Sequence, residues 1–482
     1  MNENKSFVIE AIDKVSDVIT GLSDAIWDVP ETAFLETKST ELQCETLKKL
    51  GFEVQTNLAD IPTAYSGRWG SGKPVIGFLG EFDALSGVSQ KAGLAVKEPE
   101  CEGGNGHGCG HNLLGAGAMA AAYGLKEYLE KTGKSGTVIY FGCPGEEGGS
   151  GKAFMARDGV FDELDLALTW HPMDYNVAWY ESTLANFQVN YKFTGRSAHA
   201  AGCPHLGRSA LDAVELMNVG VQFLREHVLP EVRMHYAITN SGGFSPNVVQ
   251  PKAEVLYLIR APKLPDVQET YERVNDIARG AALMTGTQVE IEFVKACSNI
   301  VPNNVLTDAL QVNMEAVALP TYTEEEIEFA TAIRNSLDKK GSPVEGFALK
   351  TSAENAEWIR QQNIEPYANF VLPRIYGEGA LPGSSDVGDV SWVCPTSQIT
   401  AAAWPSSVPP HSWQAVAVGK SSAAHKNVLY AGKVLATTAI DMVENPELVA
   451  KAKAEHISRV GDKPFVSPIP KEVRPAALGM KK

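Results

Sequence analysis

Four stretches of the chain carry side chains that could hold a cation or move a proton. The first is Gly106-His107-Gly108-Cys109-Gly110-His111-Asn112. Cys109 and His111 stand two positions apart, and the flanking glycines let the backbone bend both toward one ion. Taken alone, this motif also suits a glycine-rich turn around a buried thiol. Its glycine spacing matches neither a phosphate loop nor a dinucleotide fingerprint. The second stretch is Pro144-Gly145-Glu146-Glu147-Gly148-Gly149. Adjacent carboxylates project in different directions, so one can ligate a metal while the other reaches a metal-bound water as general base. An acidic pair in a loop is also an ordinary solvated feature. Trp170-His171-Pro172 and Pro409-Pro410-His411-Ser412 supply two more imidazoles. Four separated candidates, each following an expected strand, favour one metal-dependent site over four unrelated features.

Such residues need elements that bring them together. The patterning predicts strands over 75–81, 136–143 and 164–171, with an Ala/Gly-rich packed helix over 112–130. Each strand runs into a loop bearing polar residues: Glu81 and Asp83, then Glu146 and Glu147, then His171. A last apolar strand, near 399–403, precedes His411. Open α/β sheets bind ligands beyond the carboxyl ends of their strands, which is where these residues fall.

From Asn186 the pattern changes to strand 187–193, helix 207–228, strands 234–241 and 253–260, helix 264–284 and strand 288–295. That β-α-β-β-α-β order is ferredoxin-like. The expected fold class is therefore α/β: a discontinuous mixed-sheet unit of residues 1–185 and 301–482, interrupted by an inserted ferredoxin-like α+β unit of residues 186–300. Between 305 and 382 lie an acidic helix near 323–338 and a second near 353–361, and residues 466–482 read as a surface tail.

The composition narrows the function classes. The 482 residues hold 42 Lys and Arg against 58 Asp and Glu, a net charge of −16. Clustered cations for phosphate neutralisation are missing, so no nucleic-acid partner is expected. The seven scattered cysteines fit a reducing compartment. The first residues lack a basic-then-apolar leader pattern, and the longest apolar stretch, near 113–125, is too short to span a bilayer. The expectation is a cytoplasmic protein with no membrane association.

The ordered set of motifs, together with Gly195-Arg196-Ser197-Ala198-His199-Ala200-Ala201, resembles the amidohydrolase branch of the dinuclear metallopeptidase family. That family includes aminoacylases, auxin-conjugate hydrolases and glutamate carboxypeptidases. The resemblance runs from Pro30-Glu31-Thr32 to the His411 loop. It implies two divalent metal ions, Mn or Zn, held by Cys109, His111, Glu147, His171 and His411, with Glu146 as general base. It implies that the inserted unit serves as dimerisation and lid domain, and that His199 reaches the partner protomer's site to steady the tetrahedral oxyanion. Asn247 and Arg260 stand where relatives place donors for a substrate carboxylate, and Ser385, in Gly383-Ser384-Ser385-Asp386, offers a hydroxyl to the same substrate.

The reaction so implied is hydrolysis of the amide joining an aromatic acyl group to an amino acid. Among small-molecule N-acyl amino acids, p-aminobenzoyl-glutamate is the foremost expected substrate, giving p-aminobenzoate and glutamate. An aminoacylase, a dipeptidase, or a chain that needs a homologous partner for activity are the alternatives, so the assembly is a homodimer or a heterodimer with a homologous chain. One departure stands out. Asn112 occupies a position that is commonly Asp in this branch, which removes an anionic group beside the metals.

Overall fold

Residues 75–81 and 136–143 are buried along their whole length, and such uninterrupted burial requires strands covered on both faces. The computed structural model describes residues 2–375 and 379–476. Its larger sheet contains β1 (Glu53–Thr56), β2 (Tyr65–Ser71), β3 (Val75–Glu81), β4 (Gly136–Cys143), β5 (Leu166–Met173) and β10 (Thr396–Ala402). Their order is β1-β2-β4-β3-β5-β10, closed by the short strand Val177–Ala178. β4, β3, β5 and β10 run parallel, while β1, β2 and Val177–Ala178 pair antiparallel. The carboxyl ends of the parallel strands therefore lie along one edge, and the predicted α/β class with a mixed sheet is what the chain adopts.

Helix α1 (His111–Thr132) crosses behind this sheet. It is small and apolar on nearly every side because Ser422–Glu444 packs on its far face. Gly117 permits the closest approach: a Cβ there would meet Trp170 Nε1 at 2.5 Å. That indole is fully buried and donates to the Leu114 carbonyl at 2.9 Å, locking α1 to the strand that carries His171.

The second sheet contains β6 (Ala185–Thr194), β7 (Arg233–Asn240), β8 (Lys252–Ala261) and β9 (Gln288–Cys297), all antiparallel in the order β9-β6-β8-β7. Helices α3 (Ala210–Leu224) and α4 (Leu264–Thr285) pack against each other and against this sheet, completing a ferredoxin-like arrangement. Phe187, Val189, Tyr191 and Phe193 alternate into the core beneath the helices. The helix over 207–228 is shorter than predicted, because Ser209 caps it by accepting from Asp212 N and a 3₁₀ turn takes over at Arg225.

Two peripheral segments are tied to the body of the chain. The segment expected as a surface tail is anchored where it is described: Ile469 is buried, and Arg157 donates to the carbonyls of Pro470 and Val473 at 3.1 and 2.6 Å. Residues 477–482 lie outside the described residues. The acidic helix Glu324–Asn335 is internal on one face. It begins with a capping box between Thr323 and Glu326, and its buried Arg334 donates to the Ser406 carbonyl at 2.9 Å, bracing the chain that leads to His411. Among the described residues no helix is long and apolar enough to cross a membrane.

Candidate metal centre

The carboxyl ends of β3, β4 and β5 deliver three of the chemical stretches to one place. Gly110, at φ 70°, turns the chain into α1, and a Cβ on it would meet Pro172 at 2.8 Å, so the Cys109–His111 turn sits directly on the His171 loop. His411 arrives from the other side: its backbone N–H donates to the Gly108 carbonyl at 2.8 Å, and it holds a left-handed φ of 61° that a non-glycine residue adopts only under tertiary constraint. The Glu146–Glu147 loop is fixed by Gly145 N–H donating to Glu36 at 2.8 Å and by Glu147 N–H donating to Asp83 at 2.9 Å. Burial and the neighbouring Asp83 push the Glu36 carboxyl up to about 8.

Cys109, His111 and His171 present ligand atoms within 4.8 Å of one another, as do Cys109, Glu147 and His411. The two groups share the thiol. A third group, Glu81, His111 and Glu146, adjoins them. The ring nitrogens are oriented for ligation. His111 Nδ1 lies 3.0 Å from the Asp83 carboxylate and His171 Nδ1 lies 2.8 Å from the Pro172 carbonyl. With the Nδ1 proton given to these acceptors, Nε2 is the ring nitrogen that would ligate a metal. His111 Nε2 is buried without a hydrogen-bond partner, and His171 Nε2 sits 3.5 Å from Cys109 Sγ. His411 Nε2 lies 3.2 Å from Glu147.

The two adjacent glutamates are driven apart electrostatically. Glu147 is held down to about 2: burial opposes ionisation, but the His411 hydrogen bond and the charge of His111 outweigh it. Glu146 is pushed well above the carboxylate range by burial and by Glu81, Asp386 and Glu147. Opposite shifts on neighbouring carboxylates separate an anion suited to ligation from a group suited to carrying a proton. Burial also raises the Cys109 thiol, with Glu147 adding to the effect, so its thiolate requires a nearby cation.

Beneath these groups lies a charged cluster that no sequence motif announces. Lys152, fully buried in the short helix α2 (Gly151–Arg157), donates to Glu81 at 2.7 Å and contacts Asp386 at 2.6 Å. Burial penalises the ammonium, but the two carboxylates more than compensate and hold it charged. The other Glu81 oxygen faces His111 Nε2 at 3.2 Å. Asp83 and Glu81 are visible in the sequence as polar residues after a buried strand; Lys152 gives no signal, because a lysine in a glycine-rich stretch reads as solvated.

The remaining sequence candidates fall as follows. Asn112 points away from the donors: its amide donates to Ser23 Oγ and to the Gly419 carbonyl, both at 3.1 Å, a task a carboxylate could not perform. His107 is also turned away, with Nε2 donating to the Ile26 carbonyl at 3.1 Å. Arg260 Nη1 donates to Ser384 Oγ at 2.9 Å, whereas the Ser385 hydroxyl accepts from Val387 N–H. Arg260, Ser384, Glu146, Glu147 and His411 line one cavity of about 1410 Å³. His199 and Asn247 lie beside each other on loops of the smaller sheet, joined by Ala200 N–H donating to the Asn247 carbonyl, and they are not part of that lining.

The chain matches the model of peptidase family M20/M25/M40 over residues 77–373. It is 47% identical to the B-type subunit of p-aminobenzoyl-glutamate hydrolase from Escherichia coli (strain K12), across 99% of this chain and 100% of that protein. It is 33% identical to the Xaa-Arg dipeptidase of Mus musculus, across 66% of this chain and 72% of the relative. Among solved structures, an aminobenzoyl-glutamate utilization protein from Klebsiella pneumoniae superposes with a TM-score of 0.56 at 17% identity, covering 87% of this chain and 97% of the other, a likeness of fold.

Proposed function

The chain belongs to peptidase family M20/M25/M40 and is a metal-dependent amide hydrolase, and from that premise we propose that it cleaves p-aminobenzoyl-glutamate to p-aminobenzoate and glutamate. The carrying observation is the pair of donor groups joined at Cys109, set beside a glutamate whose proton affinity is raised. The substrate assignment is supported by the 47% identity over the whole length of the E. coli hydrolase component.

The residues present fit a pair of divalent ions. One thiol, three imidazoles and a carboxylate converge, and the buried His111 Nε2 makes no hydrogen bond, with a Glu81 oxygen 3.2 Å away. Cys109, His111, Glu147, His171 and His411 are the proposed ligands of two ions, Mn or Zn. Bound there, divalent ions lower the pKa of water toward neutrality and polarise an amide carbonyl. Glu146 then takes the proton of the attacking water and returns it to the leaving amine. Arg260, supported by Ser384, receives a carboxylate of the substrate; Ser385 and Asn247, which lie outside the cavity lining of this chain, are the further proposed donors. Asp83 is a positioning residue. Asp83→Asn disturbs the hydrogen bond that orients His111, and is expected to weaken metal binding by about 10–100-fold in equilibrium dialysis.

The proposed division places residues 186–300 as a dimerisation and lid unit between 1–185 and 301–482, which the separate four-stranded sheet supports. The assembly is a homodimer or a heterodimer with a homologous chain; the E. coli relative is by name one component of a hydrolase, which favours the second form. β7 is an edge strand exposing Tyr236 and Ile238, and α3 exposes Val219 and Phe223, features that suit a second protomer. His199 then acts across the interface to stabilise the oxyanion. His199→Ala is expected to be inactive, and mixing it with Glu146→Gln should restore about a quarter of wild-type activity by random pairing into composite sites. No recovery in demonstrated mixed dimers removes His199 from the partner's site. All seven cysteines are free, which supports a cytoplasmic location.

The experiment that tests this reading is release of p-aminobenzoate by the metal-loaded chain, compared with a panel of other N-acyl amino acids and dipeptides. Preferential hydrolysis of dipeptides contradicts the substrate assignment.

A further inference from the structure

A protein with net charge −16 lines its one large described cavity with six Lys or Arg side chains against three glutamates. Two of those cations are placed by strand register. Arg260 on β8 pairs with Asn186 on β6, and Lys295 on β9 pairs with Gln188 on the same strand. Asn186 and Gln188 share one face of β6, so Arg260 and Lys295 stand on either side of a single strand, with backbones about 12 Å apart once the two-residue offset along β6 is included. All four residues line the cavity that contains Glu146 and Glu147.

Lys295 is the less expected of the two. It is 91% buried, and its hydrogen-bond partner among the described residues is the hydroxyl of Ser150, at 3.0 Å. Ser150 is itself buried, held at φ 58°, and bonded to Cys297 Sγ at 2.9 Å. Among the described residues no carboxylate pairs with either Lys295 or Arg260. Burial of an ammonium without an anion is costly, and Lys152 shows how this chain compensates when only structure is needed: it surrounds the lysine with two carboxylates. Lys295 has instead a neutral anchor and an open cavity. Ser150 lies three residues after Glu147, so this cation is tied to the loop that bears the reacting groups.

We propose that Lys295 and Arg260 form a paired anion subsite, in which Arg260 takes one carboxylate of a dicarboxylic amino acid and Lys295 takes the other. Lys295 is thus a specificity-determining residue for amides of acidic amino acids over those of neutral ones. This rests on the N-acyl amino acid hydrolase reading above and names its substrate class from the cavity itself.

The test compares p-aminobenzoyl-glutamate with p-aminobenzoyl-glutamine, which has the same shape without the second charge. A charge-assisted hydrogen bond predicts that the wild-type chain prefers the glutamate amide by about 10–100-fold in kcat/KM. Lys295→Met, or Lys295→Gln if the methionine variant fails to fold, should reduce that ratio to under about 3-fold, and Lys295→Arg should retain most of it. In parallel, calorimetry with the metal-loaded chain should show glutarate binding at least about tenfold more tightly than glutaramate, a difference lost in the Lys295 variants. An unchanged ratio in the variants overturns the subsite while leaving the hydrolase reading intact. If the wild type cleaves neither amide, the hydrolase reading fails, and the glutarate comparison decides the subsite: loss of the difference in the variants supports it, and equal binding by wild type and variants overturns it.

Discussion

Glu146→Gln is expected to lower kcat on an N-acyl amino acid by about 10³-fold while metal content is retained. The amide keeps the side chain's shape but cannot accept the proton of the attacking water. Glu146 is the member of the acidic pair whose proton affinity is raised, by burial and by the carboxylates of Glu81, Asp386 and Glu147, whereas Glu147 is pulled down by His411 and His111. Of the pair, Glu147 is the one its partners hold ionised for ligation. A neutral residue at 146 also removes like-charge repulsion, so unfolding resistance should be unchanged or higher. The variant is checked by steady-state rates beside metal quantitation. A near-normal rate removes Glu146 from the reaction, and parallel loss of metal reassigns it as a ligand.

Lys152→Met is expected to cost about 3–5 kcal/mol in stability, because it leaves two carboxylates buried without a counter-charge. Lys152 and Asp386 are fully enclosed, and Glu81 nearly so. The network also joins distant parts of the chain: Glu81 ends β3, Lys152 opens α2, and Asp386 accepts the Lys152 backbone N–H at 2.8 Å from more than two hundred residues away. The urea midpoint gives the measurement, and Lys152→Met combined with Asp386→Leu and Glu81→Gln should regain most of the loss, since neutralised partners no longer need the ammonium. A deficit below about 1 kcal/mol in the single variant would show that the carboxylates are rescued by water or protonation.

Much of this architecture can be read from the chain before folding. β3 and β4 occupy residues 75–81 and 136–143, as their apolar runs predict, and the second sheet follows the β-α-β-β-α-β order with its ends shifted by a few residues. The metal motifs are legible because thiol, imidazole and paired carboxylates at strand ends have few other uses together. Tertiary pairing leaves no such mark. Lys152 reads as solvated until Asp386 is brought to it, and Asn112 reads as a missing anion until its amide is seen donating to Ser23 and Gly419. Lys295 falls in phase with the apolar Val289, Ile291 and Phe293, and the register irregularity between Phe293 and Lys295 turns it to the face of Gln188, where it meets Ser150. The expected tail is held by Arg157, whose partners are backbone carbonyls with no signature in sequence.

The cluster around Cys109 is proposed to hold two divalent ions and to serve amide hydrolysis. Both halves of that claim are tested most directly by quantifying metal and p-aminobenzoate release on one sample of chain loaded with Mn or Zn, alone and with a homologous chain added. The expected result is about two ions per chain and turnover of p-aminobenzoyl-glutamate that a chelator abolishes. A chain that binds no divalent metal and cleaves no N-acyl amino acid under either condition would contradict it.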